Sequence, residues 1–351
     1  MKRFNILVTA GIIGIIFLIL IPLPTPILDF LFILNISLSL LILVMSMYIR
    51  ETLEFSVFPS LLLITTLFRL GLNISSTRKI LFDNGYAGQV VKTFGQFVIR
   101  GNAVIGFIIF LIIVLVQFIV ITKGSERVAE VAARFTLDAM PGKQMAIDAD
   151  LSSGLINEKE ARLRRQKIQR EADFYGAMDG ATKIVKGDAV MSLIITVINF
   201  VAGLIIGIVQ GGGDLSTVLS VYSIATIGDG LVSQLPALMI STATGMIVTR
   251  SVSDGSLNTD VISQFKAQPR AIMATGMILL MLGLFPGTPT LPLLLVGAVL
   301  SVGGYWSDHK MALARQMEEA ESARAGEAVP ELQAASEADY YKDINNVYSL
   351  L

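Results

Sequence analysis

Cysteine is absent from the 351 residues, and histidine occurs once, as His309. The first absence excludes disulfides and thiolate metal sites and leaves the redox compartment open. The second excludes an imidazole cluster, because one ring makes no metal site, and it removes any Ser-His-Asp arrangement. Charge is also scarce: 16% of residues are Asp, Glu, Lys or Arg, against roughly a quarter in a soluble domain. The net charge of −1 gives no electrostatic footprint for a nucleic acid. A phosphate loop is missing too. Gly142-Lys143 lacks both the glycine five residues earlier and the following Ser or Thr that such a loop needs. Neither nucleotide hydrolysis nor hydrolase chemistry is expected, and no cofactor or resident metal.

What the chain has in quantity is hydrocarbon. Hydrophobic residues make up 53%, and the mean hydropathy is +0.69. The apolar residues are gathered into long runs, which predicts an all-α polytopic membrane protein. A helix needs about 20 apolar residues to cross the bilayer core. On that measure eight spans are expected, near 5–21, 27–49, 55–73, 102–122, 189–209, 230–249, 271–286 and 289–306. Prolines 22, 24 and 26 predict a tight turn between the first two. Pro286-Gly287-Thr288-Pro289 predicts a hairpin between the last two. The N-terminal run follows Lys2 and Arg3 as a signal peptide would, but it is long and lacks a small-x-small cleavage site, so it is read as a retained first span.

The placement of lysine and arginine sets the expected orientation. With both termini cytoplasmic, Lys2, Arg3, Arg50, Arg250, Lys266, Arg270, Lys310 and Arg315 fall on the inner side. Segment 74–101 disagrees, because it would lie outside while holding Arg78, Lys79, Lys92 and Arg100. Part of it is expected to pack against neighbouring helices or to re-enter the membrane, where non-helical backbone is tolerated if buried in protein.

Residues 123–187 form a polar block between two nearly pure hydrocarbon runs, too long for a simple transporter loop. It should be largely helical. Met140-Pro141-Gly142 predicts a break. Asn157 with Glu160 predicts an N-cap with its capping-box partner. The next stretch, EARLRRQKIQREADFYGAM, is rich in strong helix formers, with Glu160–Arg164 a candidate i, i+4 pair. Five segments result: spans one to four over 1–122, the cytoplasmic block over 123–187, spans five to eight over 188–306, a polar linker over 307–343, and an apolar end over 344–351 that looks like the start of a further domain.

The residues of functional interest are ionisable groups at or within spans: Asp29, Arg69, Asp188 and Asp229. A charge there costs at least a few kcal/mol, so it is paired, hydrated or functional. Asp188 is expected to open span five and Asp229 span six. Each can therefore be an N-cap, a role that suits aspartate, or a functional carboxylate, and the residues alone leave both readings open. An aspartyl-protease dyad needs touching carboxylates. This topology instead puts the two at opposite faces, separated by roughly 30 Å. Gly203 and Gly207 form a small-xxx-small pair suited to close helix packing.

The polar block, KGSERVAEVAARFTLDAMPGKQMAIDADLSSGLI continuing to ADFYGAMDGATKIVKGDA, resembles the signature of the FHIPEP family of type III export-gate proteins (FlhA/InvA/LcrD). RLGLNISSTRKIL at 69–81 and IGDGLVSQLPALMISTATGMIVTR at 227–250 match it as well. The resemblance implies eight membrane helices, a linker and a cytoplasmic domain that builds a nonameric homo-oligomeric ring. It further implies a bacterial inner-membrane location, membrane lipid around the spans, and other membrane gate subunits as partners. The export ATPase complex and chaperone–substrate complexes would be met through a C-terminal domain that this sequence does not contain. Residues matching Arg78, Lys183, Asp188 and Asp229 are the ones tied to energy coupling by the proton motive force, with sodium as an alternative ion. The block reads closer to the flagellar branch than to the injectisome branch. A scaffold that conducts no ion is the competing reading. A small-solute transporter is disfavoured by the long block and the absence of paired half-repeats.

Overall fold

The computed structural model describes residues 2–99, 103–119, 124, 126–209, 214–249, 257–285, 289–313 and 316. It contains α1 (Lys2–Leu20), α2 (Thr25–Tyr48), α3 (Phe58–Phe82), α4 (Gln89–Ile99), α5 (Ala103–Ile119), α6 (Glu126–Ser152), α7 (Glu158–Val209), α8 (Leu215–Thr249), α9 (Leu257–Ala267) and α10 (Pro269–Gly283), with a short 3-10 turn at Thr52–Phe55. A last helix, α11, spans Thr290–Leu313. The chain divides into two units, Met1–Asn258 and Thr259–Leu351.

The first unit is apolar outside and polar inside, which marks a protein dissolved in lipid. Phe30, Ile33, Leu41, Ile108, Ile112, Ile198 and Ile205 lie on the outer surface. Asn35, Ser39, Arg69, Asn73, Asp188, Asn199, Asp229 and Ser233 are buried. Along α2 only the stripe Leu28, Phe32, Asn35, Ser39, Ile42 and Ser46 is buried, so one face meets protein and the rest is left for acyl chains. Helix α8 lies deepest. It packs against α2, α3, α4, α5, α6 and α7, although Pro236 inside it leaves the carbonyl of Val232 without its i+4 amide.

Five helical segments are long and apolar enough to cross a membrane: Thr25–Tyr48, Thr52–Phe82, Glu158–Val209, Leu215–Thr249 and Thr290–Leu313. A sixth results if Gln89–Ile99 and Val104–Ile119, whose axes differ by 104°, form one broken or re-entrant span. Helix α10 is a shorter apolar helix. The expected count of eight is not reached among the described residues. The basic segment at 74–101 is largely helical: its first part continues α3 and its second part is α4, which packs on α8.

The cytoplasmic block and span five are expected to meet at 187/188. There α7 runs unbroken through the boundary, for 52 residues in all, about 78 Å of helix. That is more than twice the roughly 30 Å hydrocarbon core, so its first half must stand clear. The start is the capping box: Glu160 N donates to Asn157 Oδ1 (2.9 Å) and Asn157 N to Glu160 Oε2 (3.2 Å). With Glu160 engaged at the cap, Arg164 pairs with Asp150 of α6 (3.1 Å) rather than with Glu160. No proline interrupts 158–209, and the strong helix formers of its polar half carry the helix straight into the apolar half.

Helix α6 folds back on α7 as a hairpin, tied by Lys143–Glu171 (3.1 Å) and Arg165–Asp148. The expected break at residues 140–142 does not occur, because Pro141 lies inside α6. Its missing amide strands the carbonyl of Leu137, an exposed residue whose carbonyl water can take. The root of this hairpin is not separate from the bundle. Ala129, Ala133, Phe174 and Met178 share one buried cluster with Ile42, Phe58, Leu62 and Ala237. The Lys167–Glu51 ion pair (2.9 Å) adds a tie to the α2–α3 connection, and it raises the Lys167 pKa above its ordinary value.

The close approaches depend on glycine. A Cβ at Gly228 of α8 would collide with the Val91 carbonyl of α4, and one at Gly95 with the Ile224 carbonyl. Gly203 and Gly207 make room for the Tyr222 ring instead of a second helix backbone. In the second unit, Gly276 of α10 lies against Ser301 and Gly297 of α11, which gives the hairpin expected from the Pro-rich turn. The turn itself, 286–288, lies outside the described residues, as do most of the expected linker and all of 344–351. Gly228→Val is expected to destabilise the detergent-solubilised protein by about 1–3 kcal/mol or more. Gly180→Ala, in open space on α7, should stabilise it by about 0.5–1 kcal/mol. Thermal unfolding followed by circular dichroism checks both.

Candidate functional site

Helix α3 carries polar residues at 69, 73 and 76, spacings of four and three that place all three on one helical face. That face looks into the bundle. Arg69 meets Asp188 of α7, donating from Nε at 2.7 Å and from Nη2 to the same Oδ2. One turn on, Asn73 Oδ1 accepts from the Ser233 hydroxyl of α8. At the next turn, the Ser76 hydroxyl meets Asp229 Oδ1, whose other oxygen accepts from Asn199 Nδ2 of α7 at 3.0 Å. The result is a three-rung polar ladder inside an apolar bundle. Arg69, Asp188 and Asp229 are 2%, 6% and 3% exposed.

Asp188 and Asp229 are therefore not at opposite faces. Seven residues of α3 separate their partners, about 10 Å of helix, against the roughly 30 Å expected from separate span ends. Nor is either an N-cap. Asp188 lies 30 residues into α7 and Asp229 14 residues into α8, so their first-turn amides are far away. The two carboxylates differ in surroundings. Asp188 has a countercharge in Arg69, whereas the partners of Asp229 are a hydroxyl and an amide, both neutral. They make no dyad, since each carboxylate is held by its own partners.

The other sequence-derived candidates lie off the ladder. Arg78 donates to the Leu20 carbonyl (3.0 Å) and the Ile19 carbonyl (2.8 Å), closing the C-terminus of α1 with a cation where the helix dipole favours one. Lys183 is 61% exposed at its side chain and pairs with Asp179 at 2.8 Å; the structure does not bring it to Asp188. Asp29 of α2 accepts from the backbone N–H of Gln89 (2.8 Å) and Val90 (2.9 Å) and so caps α4 from another helix. Gly88 beside it has φ +115°, and a Cβ there would press on the Asp29 carboxyl. Asn73, Ser76, Asn199 and Ser233 were not singled out by sequence. Their signal was present, as polar residues at helical spacing inside apolar runs.

Beside the Arg69–Asp188 rung lies a cavity of about 30 Å³, lined in part by Gln117 of α5, Ser192 of α7 and Gln234 of α8. Among the described residues no group of three or more His, Cys, Asp or Glu side chains could hold a metal ion.

Fold and site together define an all-α polytopic membrane protein with ionisable residues built into its interior. A family model described as the FHIPEP family matches residues 15–349, and the chain belongs to that family. It is 54% identical over 263 residues to "Flagellar biosynthesis protein FlhA" of Bacillus subtilis, covering 74% of this chain. To "Low calcium response locus protein D" of Yersinia pestis it is 52% identical over 270 residues, covering 76%. To the FlhA protein of Salmonella typhimurium it is 49% identical over 266 residues, covering 75%. These matches take in 38% of each relative's length. No solved structure matches the chain significantly.

Removing one member of a buried ion pair costs about 3–5 kcal/mol, whereas replacing both by apolar residues of similar volume is often neutral or stabilising. Arg69→Met alone should therefore destabilise the bundle by about 3–5 kcal/mol. The double variant Arg69→Met/Asp188→Leu should recover most of that loss. Chemical unfolding in detergent compares the two. Equal stability of the single variant and the parent would show that the pair does not hold α3 to α7.

Proposed function

We propose that this chain is the membrane part of a type III protein export gate of the flagellar kind, which couples proton movement across the bacterial inner membrane to export of flagellar proteins. Membership of a family that includes FlhA and Low calcium response locus protein D supports the export-gate reading. The observation that carries the coupling is the ladder. An ion-paired carboxylate, Asp188, and a carboxylate with neutral partners, Asp229, are joined along one face of α3 within the bundle. Proton exchange at either changes a buried charge, and a buried charge without its partner costs several kcal/mol. Asp188 sits on the same continuous helix as the protruding hairpin, so a change of its charge biases that hairpin between two arrangements. The chain acts as a transport component, not an enzyme. Both termini lie in the cytoplasm in this reading. Its partners are further copies in a nonameric ring, other membrane gate subunits, and the ATPase and chaperone–substrate complexes of export.

Two observations keep a second reading in play. The identity to Low calcium response locus protein D nearly equals that to FlhA, which allows an injectisome gate. The Arg69–Asp188 pair would also serve a scaffold that conducts nothing. In a full-length protein, Asp188→Glu, which keeps a carboxylate for Arg69, is expected to retain flagellar export, whereas Asp188→Asn cuts it to the level of a strain lacking the protein. Normal export and an unchanged proton-dependent pH response in the asparagine variant would sink the coupling role.

A further inference from the structure

Four residues that line the cavity beside the ion pair each bury a polar atom without a partner among the described residues: Gln117 Oε1, Gln234 Oε1, Asp188 Oδ1 and Arg69 Nη1. All four residues are more than nine-tenths buried. An unsatisfied buried polar group is costly, and native proteins rarely leave one without a protein or water partner. Four on residues lining one void therefore make a built site. Its donor and acceptor pattern identifies the occupant. Three acceptor oxygens and one donor suit a pair of waters, since each water donates twice and accepts, and one alone would leave an acceptor unmet. At about 30 Å³ the space exceeds the roughly 10–15 Å³ needed for one water. Three oxygens alone would also suit an alkali cation. Here, however, the Arg69 guanidinium lines the same space and already neutralises Asp188, so a cation would find no net negative charge.

We propose that this cavity is a water site held by Gln117 and Gln234, and that its water is the route by which protons reach Asp188. The site draws on four helices, α3, α5, α7 and α8. Gln117 lies near the end of α5, two residues before Ile119, and Gln234 follows Ser233, the ladder's middle rung on α8. Water there touches Asp188 at the oxygen that Arg69 leaves unbonded. Gln117 and Gln234 are positioning residues: they hold the water, and Asp188 exchanges with it.

The water site stands on its own geometry, whereas its role in proton delivery rests on the coupling reading above. Two readouts on the whole chain in liposomes keep these apart. Hydroxyl radicals generated from bound water by X-ray pulses should modify the cavity-lining Leu193 faster than the outward-facing Ile194. Gln117→Leu and Gln234→Leu should lower that modification severalfold and slow Asp188-dependent proton flux. Gln234→Met fills the same volume if the leucine variant misfolds. Leu193 modified no faster than Ile194 in the parent overturns the water site. Asp188-dependent flux that is unchanged in both glutamine variants overturns the delivery role while leaving the coupling reading intact. Modification that is lost in the variants, in a parent without Asp188-dependent flux, supports the water site and counts against the coupling reading itself.

Discussion

The bond between Arg69 and Asp188 constrains the rest of the bundle. Two full charges inside an apolar assembly are tolerable only in contact, because either one alone bears an uncompensated desolvation cost. The contact fixes α3 against α7 at one height and one rotation. Once that register is set, Asn73 and Ser76 face α8 at successive turns, and Ser233 and Asp229 have partners there. The ladder is thus a consequence of one pair together with the helical repeat. The glycine contacts between α4 and α8 serve the same end from the other side, holding α8 where its polar face meets α3.

The continuity of α7 extends that constraint out of the membrane. The helix that holds Asp188 and Asn199 in the interior also holds Glu171, paired with Lys143 of α6, and Lys167, paired with Glu51. Phe174 and Met178 lie in the cluster that also contains Phe58, Leu62 and Ile240. A hairpin rooted in the bundle core and continuous with the buried ion pair is mechanically placed to report the state of that pair. In the proposed function this joins proton exchange to the aqueous export machinery without a separate transmission element.

Much of the fold was legible in the sequence because hydrocarbon runs and local caps are local signals. The run at 27–49, the prolines before α2, and the Asn157–Glu160 box all act within a few residues. The ends of elements were harder to read. Hydropathy rises from residue 188 on, but a change of polarity does not end a helix, and no proline lies between Glu158 and Val209. The same error made Asp188 and Asp229 look like helix starts, since an aspartate at the edge of an apolar run resembles an N-cap. Tertiary partners were not legible. Arg69 and Asp188 are 119 residues apart, and Asp29 caps a helix 60 residues away. Arg78 and Lys183 both stood out by family resemblance. The geometry instead gives Arg78 the end of α1 and Lys183 an exposed pair with Asp179.

The central claim is that Asp188 and Asp229 belong to one buried ladder within a single chain, joined through α3. A density map of the full-length protein in a lipid nanodisc, at a resolution that separates side chains, tests it most directly. The account predicts the Arg69 guanidinium on Asp188 and the Asp229 carboxyl between Ser76 and Asn199, all inside one subunit. Finding Asp188 or Asp229 turned to lipid or to a neighbouring subunit, with Arg69 bonded elsewhere, would contradict it.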